Sequence, residues 1–227
     1  MNNTLSLFQL CDSTFPNGSF SQSFGLETYI QKDIVHDAES FLSWLKVYVH
    51  EQLAYADGLG VKLIYEALEK EDLNKVWEMD HVLKVQNLAR ESREGTQRMG
   101  ESMLNIAESV YGFDTLTTYR DRIKNNHSFG HPAVVFTLIG HELQVKKETT
   151  ILYYLYSTIV GLIQNAVRAI PLGQTDGQKM VYKFQKDLQE VTKKIMSLDE
   201  SEFGVVSPGL ELGQMQHERV NIRIFSS

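Results

Sequence analysis

The sequence predicts an all-α protein, and three observations predict it. Only four prolines occur, at 16, 132, 171 and 208, and each stands at a boundary between stretches of helical periodicity. Within those stretches apolar residues recur three and four apart, while strand-like alternation is scarce. Together they predict a single domain over 1–227 of roughly eight to ten helices, with a flexible N-terminus and a C-terminal tail, 207–227.

Taken in order, "DAESFLSWLKVYVHEQLA" puts Phe41, Leu45, Tyr48, Val49 and Leu53 on one face, with Asp37 placed as N-cap. Further stripes run through Leu59, Leu63 and Leu68, through Leu73, Val76, Met79, Leu83 and Val85, and through Leu88, Met99, Met103, Leu104 and Ile106. Pro132 opens a helix through Val135, Leu138 and Ile139. The apolar run 151–170 approaches the roughly 20 residues that span a bilayer. It also carries Ser157, Thr158, Gln164, Asn165 and Arg168, and unpaired polar groups in lipid cost about 1–3 kcal/mol each, so a buried core helix is expected. A last stripe joins Met180, Phe184, Leu188 and Ile195.

Two segments do not read as helix. In 15–27, Pro16, Asn17 and Gly18 spell a tight turn, with Ser19 or Ser21 able to cap the following helix. In 207–227, arginines interleave with Ile and Phe, which suits a segment that docks on its own domain or on a partner.

Composition narrows the function classes. The net charge of −7 argues against nucleic acid, whose affinity comes mostly from Lys and Arg neutralising phosphates. A single cysteine, Cys11, leaves no intrachain disulfide and fits a reducing compartment. The opening "MNNTLSLFQLCDS" has no basic segment before a long apolar one, so no signal peptide is read and a cytoplasmic protein without a membrane segment is expected.

Motifs for catalysis are thin. "PLGQTDGQKM" has the composition of a phosphate loop but not its spacing: Gly173 and Gly177 are too close, Lys179 is one residue late, and Met180 stands where a magnesium-binding hydroxyl belongs. Asp176 also sets a negative charge where phosphate would lie. The stretch reads instead as a helix junction, with Gln174, Thr175 or Asp176 able to cap the next helix. His127 and His131 are four apart, but Pro132 interrupts the helix that would align them, and His141-Glu142 has Val145 where a zinc protease needs its second histidine. A capping or solvent-facing role is expected for each histidine. Carboxylate runs such as Glu69-Glu71-Asp72 and Asp199-Glu200-Glu202 read as solvated faces. The mixed cluster Arg90, Glu91, Arg93, Glu94 and Arg98 reads as helix support through pairs such as Glu94–Arg98, or as a polar rim for a partner. No catalytic, cofactor or metal residue is assigned. Two other readings stay open on the residues alone: a helical metal-dependent enzyme using His127, His131, His141 and Glu142, and a GTPase-activating protein presenting Arg93, Arg98 or Arg223.

Five blocks in order carry a resemblance to a known family. "FPNGSFSQSFGLE" supplies Pro16, Gly18, Ser19, Phe20, Ser21, Ser23, Gly25, Leu26 and Glu27; "ESREGTQRMGESML" supplies Gln97 and Gly100. "GHPAVVFTLIG" and "IPLGQTDGQKM" follow, and the ending "HERVNIRIFSS" supplies His217, Glu218, Arg223, Phe225 and Ser227. In this order they resemble the UreF family of urease accessory proteins. Phe20 stands where tyrosine is also common in that family, Asn17 replaces an aliphatic residue, and Arg219 and Val220 make the ending less polar. The resemblance implies a non-enzymatic, all-helical homodimer that binds UreD (also called UreH) and recruits the GTPase UreG, which delivers nickel to apo-urease. It implies partner contacts at Pro16, Gly18, Phe20, Ser23, Glu27, Gln174, Lys179, His217, Glu218, Arg223 and Phe225, with tail ordering coupled to Phe20. No cofactor follows from it.

Overall fold

The computed structural model describes residues 3–205 and 207–227, and the expected loose N-terminus, so far as it concerns Met1 and Asn2, lies outside them. The chain is all-α. Its helices are α1 (Thr4–Gln9), α2 (Leu26–Gln31), α3 (Ala38–Val47), α4 (Leu59–Glu69), α5 (Leu73–Gln86), α6 (Arg90–Tyr111), α7 (Asp114–Lys124), α8 (Pro132–Glu142), α9 (Lys147–Ala169), α10 (Gln174–Ser197) and α11 (Pro208–Gln216). A π-helical stretch, Tyr48–Gly58, joins α3 to α4 without a break, and short 3-10 turns lie at Ser19–Ser21, Glu200–Glu202 and His217–Arg219.

Helix α8 is the axle of the fold. Pro132 occupies its first turn, where a missing N–H costs nothing, and every residue from Pro132 to Gly140 is buried. A helix apolar all round has to be enclosed, and α4, α6, α7 and α9 surround it. Outside them, α10 lies along α9, and α11 lies on α2 and α6. Helix α9 is long and apolar enough to cross a membrane by length and composition. Here Ile151, Leu155, Ile159, Leu162 and Ile163 are buried against α8 and α10, and the buried Asn165 finds hydrogen-bond partners, as expected of a core helix.

Asp37 caps α3 as the sequence predicts, accepting from Ser40 N at 2.8 Å. Other expectations need correction. The tail does contain a helix, because Pro208 presets the first turn and Leu210, Gly213 and Gln214 form a buried stripe at helical spacing. Leu73 and Val85 are exposed, since only Val76, Met79 and Leu83 share the buried face of α5; Leu88 precedes α6 and is exposed too. Helix α10 starts from Gly173 with no side-chain cap, and Asp176 sits in its first turn instead. Neither Ser19 nor Ser21 caps α2, whose N-cap is Gly25 in the left-handed region at φ +86. A Cβ there would also lie 2.9 Å from the backbone of Gln214, so glycine is required by conformation and by space.

Candidate functional site

The most organised polar cluster lies where the tail returns to the N-terminal loop. Pro16 and Asn17 lead into Gly18 at φ +82, and Asn17 Oδ1 accepts from Ser19 N at 3.0 Å, which sets the tight turn the sequence predicts. From α9, Asn165 Nδ2 donates to Ser19 O at 3.1 Å and Gln22 O at 2.7 Å, fixing the loop that follows. The loop then pairs with the end of the tail: Ser23 N donates to Ser227 O at 2.7 Å and Ser226 N to Ser21 O at 2.8 Å.

Glu27 is the anchor beneath this pairing. It is 1% exposed, and its carboxylate accepts from Ile224 N at 2.6 Å, Phe225 N at 3.2 Å and His217 Nε2 at 2.8 Å. The other ring nitrogen of His217, a fully buried residue, meets Glu91 Oε2 at 2.7 Å. Each nitrogen of this ring lies within hydrogen-bond distance of a carboxylate oxygen, so the ring bridges Glu27 and Glu91. Arg223 then donates to Glu91 Oε1 at 2.7 Å and to the carbonyls of Val220 and Glu218. Glu27, Glu91, His217 and Arg223 thus close one multiply hydrogen-bonded cluster. Burial works to raise the Glu91 carboxyl, but hydrogen bonds from His217 and Arg223, with their charges, outweigh it and hold Glu91 below the usual carboxylate range.

Above the cluster, the Arg168 guanidinium lies 3.5 Å from the Phe20 ring centroid and 5.2 Å from that of Phe225, and it donates to Phe20 O at 2.6 Å. Arg168 therefore ties loop and tail to α9.

Of the residues expected at a partner surface, Ser23, Glu27, His217 and Phe225 are buried and bound to the protein's own chain. Pro16, Gly18, Phe20, Glu218 and Arg223 are exposed beside them, with Ile222 and Ile224. Gln174 and Lys179 are exposed at the start of α10 and take no part in the cluster; Lys179 pairs with Asp176 at 3.2 Å. Sequence reasoning did not single out Arg168, Asn165 or Gln22 as site residues, and it placed Glu91 only in a supporting charge cluster. The signal for Asn165 and Arg168 was present, because they are the polar breaks in the apolar run of α9. The charges of the cluster on α6 reach outward, not along the helix: Arg90 meets Glu218 at 3.3 Å while Glu91 holds the tail.

The residues of the rival readings are scattered. His131 caps α8, its Nδ1 accepting from Ala133 N at 3.2 Å, while His127 is exposed. His141 meets the edge of Tyr65, and Glu142 accepts from Thr115. Among the described residues no three His, Cys, Asp or Glu side chains converge as a metal site would need. Arg93 donates to the carbonyls of Asn87 and Leu88, and Arg223 is held as above. Cys11 lies in a turn beyond α1; burial pushes its thiol up to about 12. Native protein at pH 8 is expected to react with a thiol reagent roughly a thousandfold more slowly than after unfolding, from the scarcity of thiolate alone. Rapid labelling of the folded chain would contradict that burial.

Fold and cluster together define a class: an all-helical protein whose buried polar groups hold its own C-terminal segment against the N-terminal loop. Comparison with known sequences identifies the family. The UreF family model matches residues 35–185. The chain is 50% identical over 226 residues to the urease accessory protein UreF of Lachnoclostridium phytofermentans, covering 100% of this chain and 99% of that one. It is 48% identical over 227 residues to the urease accessory protein UreF of Bacillus sp. strain TB-90, covering both chains completely. The chain belongs to the UreF family of urease accessory proteins.

Proposed function

We propose that this chain is a cytoplasmic, homodimeric scaffold of urease maturation that binds UreD (UreH) through the tail face and recruits the GTPase UreG for GTP-dependent nickel insertion into apo-urease. The observation that carries the reading is the exposed apolar and charged rim, Phe20, Ile222, Ile224, Glu218 and Arg223, mounted on a buried hydrogen-bonded latch. A rigid backing of this kind lowers the ordering cost that a partner would otherwise meet. Phe20 and Phe225 share Arg168, so a partner that engages the tail also loads the N-terminal loop. Such coupling requires UreD to bind one arrangement of the tail better than the other.

Arg223→Ala tests the reading by co-purification with UreD and UreG. Losing the contact to Glu91 and the two carbonyl contacts loosens the rim, and UreG recovery in the ternary complex is expected to fall at least tenfold while the variant keeps its helical circular dichroism. Undiminished recruitment by a folded variant would reject the tail as the coupling element. Failure of the wild-type chain to bind either partner would reject the scaffold itself.

A further inference from the structure

Helix α6 meets the tail at two levels one turn apart. Glu91 takes His217 and Arg223, and the buried Gly95, four residues on, lies on the same side of the helix. Against Gly95 lies Gln22 of the N-terminal loop, 4% exposed. A Cβ on Gly95 would run into Oε1 of Gln22 and stand 2.8 Å from its Cδ, so the amide fits only because this turn of α6 carries no side chain.

The amide of Gln22 is engaged at both ends. Its Oε1 accepts from Ser227 Oγ at 2.6 Å, its Nε2 donates to Ser21 Oγ at 3.1 Å, and the backbone carbonyl of the same residue accepts from Asn165 Nδ2 of α9 at 2.7 Å. Beside it run the two backbone bonds that join loop to tail, Ser23 N to Ser227 O at 2.7 Å and Ser226 N to Ser21 O at 2.8 Å. The side chain of Gln22 is thus a spacer between α6 and Ser227.

Glycine is a poor helix former, and alanine is favoured over it in a helix interior. Its presence in α6 is explained by its neighbour. We propose that Gly95 is a positioning residue of the partner face: by leaving room for the Gln22 amide it sets the place of Ser227 and of the loop that carries Phe20, a role in docking that rests on the reading of this face as the partner surface. The two glycines of α6 differ in this respect. Backbone of Gly130 stands against Gly100, whereas the far end of a flexible side chain stands against Gly95 and can swing away. Adding a methyl group at Gly95 therefore disturbs the loop and tail and spares the helix.

Amide hydrogen exchange on the full chain tests this without any partner. In Gly95→Ala the displaced amide gives up Ser227, and exchange at Ser23 and Ser226 is expected to accelerate about tenfold, the worth of one hydrogen bond. Exchange at Ile224, whose N–H is held by Glu27, should change by less than about threefold, and the melting temperature should not fall. Gln22→Ala, which crowds nothing, should accelerate the same two amides by a similar factor, and Gly95→Ala introduced on top of it should add nothing. Wild-type exchange at Ser23 and Ser226 in either single variant, equal acceleration at Ile224, a melting temperature of Gly95→Ala lower by about 5 °C or more, or an undiminished effect of Gly95→Ala on the Gln22→Ala background would each overturn the assignment. Recovery of UreG with the Gly95→Ala chain and UreD is expected to fall about threefold. Undiminished recovery would remove Gly95 from docking, whereas a wild-type chain that binds neither partner would reject the reading of the face and not the placement of Ser227 by Gly95, which the exchange decides.

Discussion

Gly100→Ala is expected to lower the stability of this protein by about 3 kcal/mol or more and its melting temperature by roughly 10 °C. Helix propensity alone predicts the opposite sign, because alanine in a helix interior is favoured over glycine by about 1 kcal/mol. Packing decides the matter. A Cβ on Gly100 would stand 1.8 Å from Gly130 O and 2.7 Å from its carbonyl carbon, so α6 and the loop before α8 touch backbone to backbone. The loop has no room to withdraw: Phe129 N and His131 N donate to the buried Asp80 at 2.6 and 3.2 Å, and Gly130 N and His131 N donate to Tyr119 OH at 3.1 and 2.9 Å. Thermal unfolding followed by circular dichroism measures the effect. A melting temperature within 2 °C of wild type would show that α6 can shift without loss.

Glu27→Ala is expected to release the tail while leaving most of the helical domain folded. Each buried donor left without its acceptor costs about 1–3 kcal/mol, and the ring of His217 and the N–H groups of Ile224 and Phe225 all lose theirs. The chain can avoid most of that cost by undocking 217–227, whose contacts are few beside those of α8, so the loss should surface as local opening. Hydrogen exchange at Ile224 and Phe225 is expected to accelerate by a factor of 100 or more, with loss of UreD and UreG co-purification. Unchanged protection at those amides would refute the anchoring role.

Acid should act in the same direction on Glu91. Its carboxyl is held below the ordinary value of 4.5, so the stability it lends is present above that pH and is lost as pH falls through the depressed folded value. Docking of the tail should therefore loosen as pH falls below the ordinary carboxylate value of 4.5 and through the depressed folded one, while staying indifferent to pH changes near neutrality on account of this group.

Legibility differed between fold and site for a physical reason. The stripe at Phe41, Leu45 and Leu53 and the run through α8 were readable because burial imposes a local period on the chain. Asp37 was readable because a cap is satisfied within three residues. The helix at Pro208–Gln216 was missed because its stripe is short and glycine-rich, and its partner face on α2 lies far away in the sequence. In the site, the loop and ending were visible as family blocks, but their roles were not: Glu27, His217 and Phe225 were expected to face a partner, and they face each other.

The sequence by itself determined the all-α class, most of the long helices with their boundaries at the prolines, the thinness of catalytic motifs and the family, because periodicity, capping and motif order are properties of neighbouring residues. Tertiary structure alone decided that Glu91 of α6 and Arg168 of α9 join the two ends of the chain and that Gly100 admits no side chain. Contacts between different elements, such as Glu91 with His217, leave no period in the chain, and only packing brings them together.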